Sequence, residues 1–246
     1  MKYVTRLLEG LWGAFAWLVF GVCCLTSLIV VTFVPSAAAR IWFVTMAAKA
    51  AFVCSGVRVD VRGLEHLPDD HAVVVANHAS YVDGPLLKGF LPARFSFVIK
   101  GEMRNVAIAH FLLRRGGQRF VERNVQAASS RDAREIVKAA KEGLSLGFFP
   151  EGTFREEPGV GRFRPGAFVA AVRGGMPVVP VAISGSRDML PMGHFLPRPR
   201  RLRIDILEPI QPDDPAFDNP RQLGEMARQR ILAVLDEPDL LGDVSG

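Results

Sequence analysis

The run from Leu11 to Val34 contains no charged residue and is dense in Leu, Val, Phe and Trp. It constrains the chain more than any other stretch, because an apolar run of that length can cross a bilayer as a helix. Pro35-Ser36 breaks it, and Ile41 to Val57 forms a second apolar segment with only Lys49 inside. Lys2 and Arg6 precede the first segment while Arg40 and Lys49 follow it, so the flanking charges give no orientation for a single span. A helical hairpin over residues 1–56 reconciles them: both ends lie on one membrane face, the first helix embedded and the second near the interface. A signal peptide is the competing reading. Only Ala37-Ala38-Ala39 resembles a cleavage site, and the apolar core is longer than the usual signal segment.

From Val57 the pattern changes period. Val57–Val61 alternates as a strand, and Ala72–Ala76 is an apolar run of strand length rich in valine. Strands are expected over 95–100, 117–122, 144–149, 178–183 and 202–206. Helices are expected over 106–115, 127–142, 166–173 and 221–235, and the helix over 127–142 carries its apolar residues on one face. Strands alternating with helices over residues 57–236 predict an α/β domain with a largely parallel sheet flanked by helices. An acidic, frayed tail is expected over 237–246. Glu65–His71 holds two histidines and three acids, but Pro68 and two consecutive aspartates before a strand make it a turn rather than a metal site.

Asn77-His78-Ala79-Ser80-Tyr81-Val82-Asp83 joins the second strand to a helix. On a regular helix His78 and Asp83 would sit about 140° apart and could not meet. On a strand-to-helix turn Asp83 can accept from one ring nitrogen of His78, fixing its tautomer and leaving the other nitrogen as a general base. The alternative is local: Ser80 with Asp83 three residues later is a capping-box-like helix start, with His78 only a turn residue.

Loops beyond the carboxyl ends of strands gather functional residues in such sheets. Three have suitable content: Asn77–Asp83; Gly117–Arg123, with Lys100 and Arg104 upstream; and Phe149-Pro150-Glu151-Gly152-Thr153-Phe154-Arg155. Glycine at 152 permits close backbone approach, and the arginines offer forked donors suited to phosphate. Taken in order, His78 with Asp83, Gly117-x-x-Phe120-x-x-Arg123, Phe149-Pro150-Glu151-Gly152-Thr153 and Val179-Pro180-Val181 resemble the glycerolipid acyltransferase family over about residues 60 to 185.

The resemblance implies a transferase moving a fatty acyl group from acyl-CoA or acyl-carrier protein to a lyso-glycerolipid. The implied acceptor is 1-acylglycerol-3-phosphate, giving phosphatidic acid, and no cofactor is implied beyond the donor. It makes His78 the general base and Asp83 its orienting partner. Arg123, Glu151, Gly152 and Thr153 would receive the glycerol phosphate, with Gly117, Phe120 and Lys100 in the same region and Pro180 on the acyl or donor side. Asn77 or backbone N–H groups of its turn would serve the oxyanion. The family commonly continues Glu-Gly-Thr with Arg, whereas Phe154 intervenes here, so Arg155 would reach from a shifted position or Arg164 replace it. Another lysophospholipid or lyso-acyl amphiphile is therefore an alternative acceptor, and a non-catalytic, membrane-tethered lipid-binding protein an alternative function.

Membrane lipid is the expected partner, at the cytoplasmic face of the cell membrane. The formal charge of +5 favours anionic partners. The basic residues form no single helical stripe and no stacking-aromatic motif accompanies them, which argues against nucleic acid. Cys23, Cys24 and Cys54 lie in apolar segments with no CxxC pair, and so indicate neither a disulfide framework nor zinc.

Overall fold

The structure, a computed structural model, describes residues 2–121 and 126–242. Two helices, α1 (Lys2–Phe33) and α2 (Ala37–Cys54), precede the first strand. The strands are β1 (Val59–Arg62), β2 (Val73–Ala76), β3 (Ser96–Lys100), β4 (Arg119–Val121), β5 (Leu146–Phe148), β6 (Val178–Ser184) and β7 (Leu202–Ile206). The helices between and after them are α3 (Asp83–Phe90), α4 (Ala107–Arg115), α5 (Gln126–Lys141), α6 (Gly166–Gly174), the single turn α7 (Ser186–Met189) and α8 (Pro220–Leu232). The sheet order is β1-β7-β6-β2-β5-β3-β4, and every neighbouring pair is parallel except β6 and β7. The carboxyl ends of β2 to β6 therefore share one edge of the sheet, where the three candidate loops begin.

All four β2 residues are buried, as a central parallel strand covered on both faces requires. Val74 and Ala76 join Leu86 and Leu87 of α3 and Phe52 of α2 in one core layer. Val73 and Val75 join Phe168 of α6, Ile136 of α5 and Leu223 of α8 in the other. Fully burying a side chain such as Phe168 contributes about 1.5–3 kcal/mol, so the two layers dominate the stability.

The first helix lies along the domain. Trp12 Nε1 donates to Ser55 O (3.0 Å), Trp17 Nε1 to Phe195 O (2.7 Å), and Arg115 Nε to Val31 O. The opposite stripe of α1, including Leu7, Leu11, Leu18, Val22, Leu25, Ile29 and Phe33, is exposed. Ala37-Ala38-Ala39 forms the first turn of α2, capped by the Ser36 hydroxyl. Helices α2 and α3 touch at Gly89, where a Cβ would lie 2.6 Å from Lys49 N; only hydrogen fits there.

The tail departs from the frayed expectation up to residue 242. Arg228, 2% exposed, holds both Asp239 oxygens at 2.7 and 2.9 Å, and Arg187 pairs with Glu237 at 3.1 Å. Val160 and Asp239 form a parallel bridge. Acidic residues that look solvating in sequence are here ligands for a buried arginine, Arg228, and a half-buried one, Arg187.

Candidate active site

Asp83 is wholly buried at the first position of α3. Its Oδ2 accepts from His78 Nδ1 (2.9 Å), Ala79 N–H (2.7 Å) and Ser80 N–H (2.8 Å). The two readings of this turn are thus one device. Asp83 reaches back to the Ser80 amide as in a capping box, and the same oxygen orients the imidazole. The other half of the box is displaced: the Ser80 hydroxyl donates to Leu190 O (2.8 Å) and accepts Val82 N–H (3.4 Å), while Asp83 N–H goes to Ser80 O (3.3 Å). Asp83 Oδ1 is buried with no hydrogen-bond partner among the described residues. An Nδ1–H held by a carboxylate leaves Nε2 with its lone pair, and the ring is 18% exposed.

Two neighbours fix this turn from opposite sides. Asn77, 2% exposed, extends the β2–β6 ladder by side chain: its Nδ2 donates to Ile183 O (3.0 Å) and its Oδ1 accepts Ile183 N–H (2.7 Å). Glu151 Oε1 accepts His78 N–H, and its Oε2 accepts Gly161 N–H, both at 2.9 Å. Burial pushes the Glu151 carboxyl above its ordinary range, and the two backbone amides offset only part of that. The sequence places Asn77 and Glu151 at the substrate. The structure spends both on backbone, Asn77 because burial demands partners for its amide and Glu151 because it ties two loops together.

The third loop brings aromatic rings to the histidine. Phe149 stacks on His78 at 4.3 Å between centroids, and Phe154 meets it edge-on at 4.8 Å. Tyr81 in turn meets Phe154 edge-on at 4.6 Å. Gly152 makes this possible: its φ of 85° lets the chain turn back after Phe149, closed by Gly152 N–H on Phe149 O (3.0 Å). Thr153 is exposed, and Phe154 is 8% exposed, so the residue that interrupts the expected Thr-Arg pair is a wall of the site. Arg155 is exposed and its carbonyl accepts from Arg187 Nη1 (2.7 Å); Arg164, also exposed, donates its N–H to Pro150 O (2.9 Å).

The remaining expected residues lie farther from the imidazole contacts. Lys100 ends β3 at the same sheet edge and pairs with Glu102 at 2.6 Å. Gly117 packs on α2, where a Cβ would lie 2.9 Å from Ile41 Cγ1. Phe120 is buried against His110 (5.0 Å), and its carbonyl accepts from Arg104 (3.1 Å). Both line a cleft of about 1010 Å³ beside β4 that His78 does not line. Arg123 lies outside the described residues. Pro180 is buried within β6 opposite Val75, inside the sheet rather than at the loop edge. Its missing N–H costs no ladder bond, because β7 has ended there and Leu207 N–H reaches Pro180 O instead. The aromatic walls were not foreseen from sequence. Their one local sign is a phenylalanine on each side of Pro-Glu-Gly-Thr.

The chain matches the sequence profile of the family described as Acyltransferase over residues 58–184. It is 33% identical over 204 residues to a lyso-ornithine lipid O-acyltransferase of Pseudomonas aeruginosa, covering 75% of this chain and 74% of that protein. It is 31% identical over 156 residues to a chloroplastic 1-acyl-sn-glycerol-3-phosphate acyltransferase of Arabidopsis thaliana, covering 62% of this chain and 44% of that protein. A similar enzyme of Brassica napus is 30% identical over 138 residues, 55% of this chain and 40% of its own length. The chain thus spans less than half the length of these two plant relatives. The crystal structure of the 1-acyl-sn-glycerophosphate acyltransferase PlsC from Thermotoga maritima superposes with a TM-score of 0.73 at 27% identity, covering 94% of this chain and 95% of that one. Four ordered sequence motifs, a mostly parallel sheet and a profile match across half the chain lead to one conclusion: this protein belongs to the Acyltransferase family.

Proposed function

We propose that this protein moves a fatty acyl group from an acyl thioester, acyl-CoA or acyl-carrier protein, to the free hydroxyl of a lyso-glycerolipid. The first acceptor to consider is 1-acylglycerol-3-phosphate, giving phosphatidic acid. The observation that carries this reading is the Asp83–His78 contact at 2.9 Å beyond the carboxyl end of β2. His78 Nε2 takes the hydroxyl proton as the oxygen attacks the thioester carbonyl. Collapse of the tetrahedral adduct breaks the carbon–sulfur bond, and the leaving thiolate recovers that proton from the imidazolium. No covalent enzyme intermediate is needed.

The oxyanion requires donors aimed at it. The amides of His78, Ala79 and Ser80 already serve Glu151 and Asp83, and Asn77 serves Ile183. Two apolar helices with an exposed stripe support membrane association, which puts the site where lyso-lipids are held; we place it on the cytoplasmic face.

Thiol release tests the reading directly, with acyl-CoA and acyl-carrier protein each assayed against a lyso-lipid panel. Release that depends on the lyso-lipid is expected. Lipid binding without release from either donor would leave the non-catalytic alternative standing.

A further inference from the structure

Helix α4 lies against the domain without any buried residue. By helical spacing Ala107, Ile108, Phe111 and Arg114 share one arc of about 120°. All four are exposed, Ile108 at 69% and Phe111 at 40%. Leu112 and Leu113 are half-buried on the other side, and the polar His110 is turned inward against Phe120 at 5.0 Å. A surface helix in water keeps its apolar residues on the core and polar ones outside. Helix α4 is apolar on two sides, which suits a place between the core and a second apolar phase.

The neighbours of α4 identify that phase. Arg115 Nε donates to Val31 O in the last turn of α1, and Arg115 O accepts from Arg40 Nε of α2 (3.4 Å). Gly116 packs where a Cβ would lie 3.3 Å from Val44 of α2. Both helices are apolar enough to cross a membrane, and Phe33 and Trp42, close to these contacts in sequence, are exposed. The outer face of α4 therefore continues the exposed apolar surface of the hairpin. Arg114 sits in its last turn, where a cation meets anionic headgroups.

We infer that α4 is an interfacial helix, seating the catalytic domain itself in an anionic bilayer surface. Ile108 and Phe111 enter the headgroup–acyl boundary, and Arg114 lies among the headgroups. The cleft beside β4, lined by Ile41 of α2 and by His110 and Arg114 of α4, is then walled by two lipid-facing helices. The inference rests on the membrane association proposed above and extends it from the hairpin to the domain.

The test places a nitrobenzoxadiazole probe on Ile108→Cys or Phe111→Cys in the full chain, with Cys23, Cys24 and Cys54 replaced by alanine. Arg221→Cys is the reference, an exposed position on α8, which packs in the core layer of the other sheet face. Each protein is reconstituted with vesicles of phosphatidylcholine and phosphatidylglycerol, with or without a lipid carrying a spin-label quencher high on its acyl chain. Probes at 108 and 111 should emit to the blue and lose at least about three times as much intensity to the quencher as the probe at 221. Protein that floats with vesicles while these probes behave as at 221 overturns the inference and leaves the hairpin's membrane association standing. Protein that does not float overturns both. A blue shift that the quencher leaves untouched means that protein, such as a second copy, covers the face, and also overturns the inference. Neither side chain is buried, so both variants should fold; if one does not, the other decides.

Discussion

At the residue scale the site depends on one carboxylate oxygen and one strut. Asp83 Oδ2 gathers the His78 ring and two amides, and that local geometry was legible in the sequence because strand, turn and helix start follow one another directly between Val73 and Asp83. Glu151 was legible as part of the site but not as a strut, because its partner Gly161 depends on how the third loop closes. Glu151→Gln keeps one acceptor oxygen, so one of the two amides loses its partner. Turnover should fall about tenfold in steady-state kinetics, the equivalent of one hydrogen bond. Burial holds the Glu151 carboxyl above its ordinary range. Its stabilising contribution is therefore complete below the unfolded value and lost as pH rises through the folded one; the glutamine variant should lack that dependence in denaturant titrations.

At the element scale, alternation and apolar runs mark most strands and helices, and β7 coincides with its expected range. What the pattern misses are short pieces set by tertiary contact, such as the four-residue α7. It also misses the buried side of α3. Lys88 there is 8% exposed with its Nζ 3.5 Å from Ala93 O, and burial lowers its amine to about 8. Between about 8 and the ordinary 10.5 the unfolded chain holds a proton that the fold does not, so stability rises with pH across that window. Lys88→Met should raise stability near pH 7 by on the order of 1 kcal/mol and flatten the rise, as read from urea midpoints at pH 7 and 9.5. The lie of α1 is the other test at this scale. Arg200 pairs with Glu9 at one end and Arg115 holds Val31 at the other, a span of about 33 Å along the domain. With Cys23 and Cys24 replaced, Tyr3→Cys and the native Cys54, at the two ends of the hairpin, should both react with an impermeant maleimide from the same side; labelling from opposite sides would contradict the hairpin.

For the whole molecule, the C-terminal residues close over the loop that walls the histidine. Gly159 N–H donates to Glu237 (2.9 Å), Arg187 joins Glu237 to the Arg155 carbonyl, and Arg228 holds Asp239. The hydrogen bonds from Arg228 lower the Asp239 carboxyl to about 2 from 3.8. The strap's stabilisation is therefore present above the ordinary carboxylate range and lost as pH falls toward 2. Asp239→Asn should lower the thermal midpoint at pH 7 and remove part of the acid sensitivity between pH 4 and 2. Because the strap backs the third loop, the same variant should lose turnover. The central claim is that His78 is the base for acyl transfer to a lyso-lipid, and its most direct measurement is acceptor-dependent thiol release by His78→Ala protein that still floats with lipid vesicles. The account predicts release reduced to the uncatalysed rate with vesicle binding intact; release at most of the parental rate would contradict it.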